Sequence, residues 1–333
     1  MLNQNTIRHH LLNIDQFDQE TLDFIEQEKW LKCWIPKKYD GLGFNLSEGL
    51  KLLQSIAKID GSLGWFVTLC SGANYFSRNL KPEIAKQLFD HQHSVFGGSG
   101  MLNGTAEKIG NRYLINGIWH YATGAPYLTH VTLNAQLTEN GQLLIEENGS
   151  PKFLSFILDY KQVEFIPTWK SMGMQATASH SFEVKNQYVA DSHSFQYNVF
   201  YSDDLLDQIP FQIFADLTLF VNYLGMGEHF LEESSKYLDK TLLLTFDDFL
   251  KESTSIALEF AVQIEQSLTK NLTVSEELAV NLHQFCVQRI QQLTQHIISI
   301  YPLLSIKASK LNEELNQIFR DYFTATQHKN FRN

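Results

Sequence analysis

Three cysteines in 333 residues, Cys33, Cys70 and Cys286, are too few and too far apart for a disulfide framework or a paired-thiolate metal site. They read as free thiols in a reducing compartment, so the expected location is cytoplasmic. Basic residues are also short. Against 37 Asp and Glu there are 26 Lys and Arg, a formal charge of −11, which excludes the dense basic face that a nucleic-acid or anionic membrane surface requires. No run approaches the roughly 18 apolar residues of a membrane helix. The opening MLNQNTIRHHLLNIDQF lacks the charged and apolar regions of a secretory signal. Metal-ligand spacing is missing as well: His229, in the acidic run EHFLEES (228–234), has no histidine four residues on. That run reads as a solvated helix face, and no metal is expected.

What the chain does have is a core-forming composition, 44% hydrophobic and 19% charged, and a length of roughly two to three domains. Helical periodicity covers 15–33, a helix N-capped at Ser47, a third over about 62–80 and a short one from Pro82. From Ser94 to about 190 the period becomes two. Strands are expected at 106–109, 112–116, 118–122, 129–137, 153–159, 162–166 and 181–185, punctuated by Asn-Gly and Gly-Asn turns. Short strands at that spacing suggest a barrel or sandwich. Helices return at 210–239, 246–270, 275–301 and 311–327, with Pro302 closing the third.

The stretch YLINGIWHYATG (113–124) is the most informative. Asn116-Gly117 between two β-prone runs predicts a hairpin turn. The second run carries Trp119 and Tyr121 on one face by alternation and ends in Ala122-Thr123-Gly124, small enough for a flat ligand to reach the backbone. A buried hairpin followed by an ordinary turn is the plainer alternative.

Four stretches carry a resemblance to the acyl-CoA dehydrogenase superfamily of flavoproteins, over nearly the whole chain from about Trp34 to His328. They are IPKKYDGLG (35–43) with AKIDGSLGW (57–65), then NGIWHYATG (116–124), then WKSMGMQATASHSFEVKNQYV (169–189), and last IFRDYFTATQH (318–328). The wording of the flavin-face strand, Trp119 to Gly124, is closer to the two-component flavin monooxygenases resembling dibenzothiophene monooxygenase. So is His328, which falls where the dehydrogenases place a catalytic glutamate. Asn74 stands where that branch often has a histidine.

The resemblance implies an α+β multidomain fold: an N-terminal helical domain (1–92), a central β-barrel (93–195) and a C-terminal four-helix bundle (196–333), with flavin between barrel and bundle. Thr123 would position the flavin, with Trp119, Tyr121, Gly124, Thr177 and Ser179 as further cofactor contacts and His328 as the catalytic acid or base. The stretches 238–249 and 300–310 offer neither the arginine nor the glycine pair that the family uses for the adenine half of FAD, so FMN and FAD both remain open. Arg320 and Asp321 are expected as a structural ion pair. The implied partners are a small apolar or acyl substrate, a separate flavin reductase and other copies of the chain in a homodimer or homotetramer. The implied activity is an oxygen-using flavin oxidoreductase. An acyl-CoA dehydrogenase and a catalytically silent binding or scaffold protein are the alternatives.

Overall fold

The computed structural model describes residues 2, 6–89, 94–201, 204–270 and 272–332. The expected boundary between 92 and 93 lies outside them. Helices α1 (Ile7–His10), α2 (Gln19–Gln27), α3 (Leu46–Ile59), α4 (Gly61–Asn74) and α5 (Pro82–Phe89) precede a sheet. The N-cap of α3 is Asn45, two residues before the expected Ser47, because Asn45 and Glu48 form a reciprocal capping box; Ser47 Oγ instead donates to Glu265. Asp60 both ends α3 and caps α4.

The strands are β1 (Phe96–Ile109), β2 (Arg112–Ala122), β3 (His130–Glu139), β4 (Gln142–Leu143), β5 (Phe153–Asp159), β6 (Glu164–Ile166), β7 (His180–Ala190) and β8 (Ser194–Phe195). They form one sheet in the order β6-β7-β2-β1-β3-β5-β8, with β4 beside β3. The barrel expected from the strand spacing does not close. Its terminal strands have three and two residues and pair only inward. Phe195 of β8 packs on Phe76 of the helical region, 4.7 Å between ring centroids, so helical side chains cover that edge.

Neither Asn103-Gly104 nor Asn116-Gly117 turns the chain. Both lie inside long bent strands, and the β1–β2 connection is Gly110-Asn111. The glycines serve a close approach instead: a Cβ on Gly104 or Gly117 would lie 2.6 or 2.9 Å from the Trp119 ring.

The C-terminal region holds α6 (Phe211–Ser234), α7 (Lys240–Thr269), α8 (Glu276–Ile300) and α9 (Glu314–Ala325). α6 is buried around its circumference and packs against α3, α7, α8 and α9. Gly225 permits the α3 contact, since a Cβ there would sit 2.3 Å from the Gln54 carbonyl. The expected helix over 210–239 stops at Ser234 because Asp239 caps a new one. Among the described residues, no helix is long and apolar enough to cross a membrane.

Candidate functional site

β2 carries one extra residue between Trp119 and Ala122 relative to Phe182 and His180 of β7. The bulge puts Tyr121 at φ 64° and turns it away from Trp119, so the two rings do not share a face. Trp119 is wholly buried, donates Nε1–H to the Asn134 carbonyl at 2.8 Å and stacks on Phe182. It is a core residue of the sheet, with its ring faces covered. Tyr121 is 67% exposed.

Opposite the end of β2, residues 173–179 include Met174 at φ 56° and Ala178 at φ 41°. The other described non-glycine residues at positive φ are Asn, Asp or Lys, types at home in turns. Only these two segments force a tyrosine, a methionine and an alanine into that region, and such strain concentrates where a ligand is handled.

Between the segments lie Thr123, Thr177 and Ser179, each at most 5% exposed. Thr177 Oγ1 donates to the Met174 carbonyl at 2.7 Å, which uses its only proton. Ser179 must therefore donate to Thr177 (2.9 Å), and Thr123 to Ser179 (3.0 Å). The hydroxyl protons all run inward, leaving Thr123 Oγ1 a lone pair with which to accept. Gly124, at φ 78°, donates its N–H to the Thr177 carbonyl at 2.7 Å and locks the segments together. A Cβ there would meet Phe66 at 2.5 Å.

α4 backs this cluster through Phe66 and Cys70; the Cys70 thiol faces the Thr123 carbonyl. His328 meets α4 elsewhere, edge-on to Trp65 at 5.4 Å. Trp65 and Cys70 are five residues apart, about 140° around the helix. The structure shows no hydrogen bond or ring contact between His328 and Thr123; they meet α4 through different residues.

The turn bearing His328 is anchored on α6. Tyr223 donates its hydroxyl to the Ala325 carbonyl at 2.6 Å. Asn330 donates to Asp216 at 2.7 Å, and the same carboxylate pairs with His283 of α8 at 3.1 Å. Burial, then the nearby Lys329 charge, push the His328 pKa down to about 4.

Asn74 is no substitute proton acceptor. Fully buried, it donates to the Leu31 and Ser94 carbonyls and accepts from Phe96 N–H. Arg320 and Asp321 do not pair with each other as expected. Arg320 donates to the Met172 carbonyl and to Asn13, and Asp321 Oδ1 accepts from Met174 N–H. Together they clamp the 172–177 segment onto α9.

Two features escaped sequence reasoning. Asp60 and Asp321, both buried, belong to the quoted stretches 57–65 and 318–328, but only the fold places them together. Burial raises both, to about 6 for Asp60 and, with the Asp60 charge adding, about 8 for Asp321. The second concerns 228–234: His229 and Glu233 are each 4% exposed, because α9 covers that face of α6. The expected solvated face is buried at His229 and Glu233, while Glu232 stays exposed.

No family model matches the chain. Indole-3-acetate monooxygenase from Pseudomonas putida is 24% identical over 223 residues, 65% of this chain and 54% of that protein. The chain spans about half the length of the curated relatives it matches. Among solved structures, XiaF from Streptomyces in complex with FADH2 and glycerol superimposes with a TM-score of 0.85 at 15% identity, covering 98% of this chain and 87% of that one. TdsC from Paenibacillus, in a complex with FMN and indole, gives 0.78 at 18% identity over 98% and 90%. The likeness covers essentially the whole chain, and it is a likeness of fold.

Proposed function

From the fold shared with acyl-CoA dehydrogenase-like flavin monooxygenases, we propose that this chain is the oxygenase component of a flavin-dependent monooxygenase. The observation that carries the reading is the pair of strained segments, Tyr121–Gly124 and 173–179, around the inward-polarised Thr123–Ser179–Thr177 hydroxyl chain. The donor set suits a flavin: Tyr121 presents an open ring, and Thr123 offers an acceptor for a ring N–H. Reduced flavin, when bound, supplies the two electrons by which one atom of O2 becomes water while the other enters the substrate.

The protein's own residues hold and exclude. Gly124 and the Arg320–Asp321 clamp keep the two segments in register, and Phe66 and Cys70 close the space behind them. His328, neutral at working pH, serves as the proton acceptor, held between Trp65 and the α6 anchor. A small apolar or aromatic substrate is in keeping with the indole compounds named for the relatives. A separate reductase would deliver the reduced flavin.

We place the reaction in a homo-oligomer built on the four C-terminal helices acting as a bundle. Leu242 and Leu244 of α7, Ile298 of α8 and Leu303 and Ile306 just beyond it are between 45% and 75% exposed, apolar side chains that a second copy would cover. The three cysteines are free and buried, which suits a cytoplasmic setting.

The direct test is titration of the purified chain with FMN, FAD and their reduced forms, followed by assay for oxygen-dependent hydroxylation of indole with reductase-supplied flavin. Bound flavin and a hydroxylated product are expected. No change in absorbance or fluorescence with any flavin would overturn the proposal, and anaerobic bleaching by acyl-CoA would move it to a dehydrogenase.

Thr123→Val provides a sharper probe. Removing the hydroxyl leaves Ser179 short of a buried donor, an expected loss of about 1–3 kcal/mol. Flavin affinity should fall by roughly tenfold, as expected for one lost hydrogen bond, whereas Thr123→Ser should preserve both. Equal flavin affinity in the valine variant would remove Thr123 from the site.

A further inference from the structure

On the opposite side of α6 from the α7–α8 pair, α9 brings Glu314 against His229 and Glu233. One nitrogen or oxygen from each of the three side chains lies within 4.8 Å of the others. His229 Nε2 faces Glu314 Oε2 at 3.6 Å, and neither atom has a hydrogen-bond partner although both are buried. Unpaired buried polar atoms aimed at one another are costly unless something sits between them. His229 and Glu314 also line a space of about 10 Å3, together with Arg8, Asp60, Gln317 and Asp321. That is room for a single atom-sized guest.

We propose that His229, Glu233 and Glu314 form a binding site for a first-row divalent transition ion. Two donors bonded to one such ion at about 2.1 Å stand roughly 3.0–3.4 Å apart, close to the observed His229–Glu314 separation. One imidazole with two carboxylates suits Zn2+, Mn2+, Fe2+ or Co2+ better than Ca2+ or Mg2+.

Two cations compete for the same carboxylates. Lys236 Nζ lies 2.6 Å from Glu233 Oε1, and Arg8 lies 3.7 Å from it while pairing with Glu232 at 2.8 Å. The Lys236 side chain is 54% exposed and can swing into solvent; Arg8 stays, held also by the Lys58 carbonyl. Glu314 approaches exposed His9 at 3.3 Å through its other oxygen, leaving Oε2 for the ion. An ion here clips α6 to α9, the helix that carries the Arg320–Asp321 clamp and leads into His328.

The test is Zn2+ calorimetry and Co2+ absorption on the tag-free full chain at neutral pH, with melting temperatures before and after chelation. One ion per chain, ligand-field bands and a rise in melting temperature of several degrees are expected. Glu314→Gln and His229→Gln should each weaken binding by at least about tenfold, since each removes a ligand. Lys236→Ala, at an exposed position that leaves the fold intact, should tighten it by displacing the competing ammonium. Absence of binding by the natural chain, binding unchanged in both ligand variants, or affinity unchanged in Lys236→Ala would each overturn the assignment.

Discussion

His328→Ala is expected to leave flavin binding intact and to lower turnover by about 10²–10⁴-fold, the range for loss of a positioned acid or base. The pH profile makes the result specific. With its pKa pushed down to about 4 by burial, His328 stays neutral through the physiological range and functions as a base. The acid limb of kcat/KM should therefore lie near pH 4 and not at the ordinary histidine value near 6.5. The same depression has a stability consequence whose sign is definite. Between about pH 6.5 and pH 4 the unfolded chain binds the His328 proton and the folded chain does not, so acidification through that window destabilises the fold. A variant with a neutral side chain, His328→Gln, should lose that part of the acid sensitivity. Turnover equal to the natural chain's in His328→Ala would remove the residue from the mechanism.

Asp321→Asn should make the protein more stable than its parent above about pH 8, and the gap should vanish toward pH 4. Burial, then the charge of Asp60, raise Asp321 to about 8; burial raises Asp60 to about 6. Both folded pKa values exceed the unfolded value of 3.8, so the folded state holds protons the unfolded chain has released. Stability is full below the unfolded pKa and is lost as pH rises through the folded values, by an amount on the order of a few kcal/mol. Asparagine is permanently neutral and retains an oxygen for Met174 N–H, so it mimics the protonated acid. Asp321→Ala has no such acceptor. It should release the 172–177 segment and destabilise at every pH by about 1–3 kcal/mol. Melting temperatures from pH 5 to 9 distinguish these outcomes. An asparagine variant that loses stability in parallel with the natural chain would show that Asp321 is not the titrating group.

Much of the architecture was legible in local pattern. The change from helical to strand periodicity near Ser94, the new helix from about residue 62 and the end of α8 near Pro302 depend on residues within one or two turns of each other, and short-range physics governs them. The bulge in β2 was not legible. Period-two alternation assigns Trp119 and Tyr121 to one face, and only the register against β7, 60 residues downstream, shows the extra residue that turns Tyr121 outward. Asn116-Gly117 misled for a related reason. The glycine is needed for contact with the Trp119 ring, a demand that leaves the same letters in the chain as a turn does.

The site divides along the same line. Sequence by itself determined most of the order of helices and strands, the lack of a long apolar run and of paired-cysteine spacing, and the four stretches that carry the flavoprotein resemblance. Tertiary structure alone decided that the sheet stays open, that His328 packs on Trp65 of α4, that Asp60 and Asp321 share a buried space, and that Glu314 reaches His229 from 85 positions away. Those outcomes depend on burial and on contacts between distant segments. Burial sets pKa values and the cost of unpaired groups through the surroundings of a residue, which its neighbours in the chain do not specify.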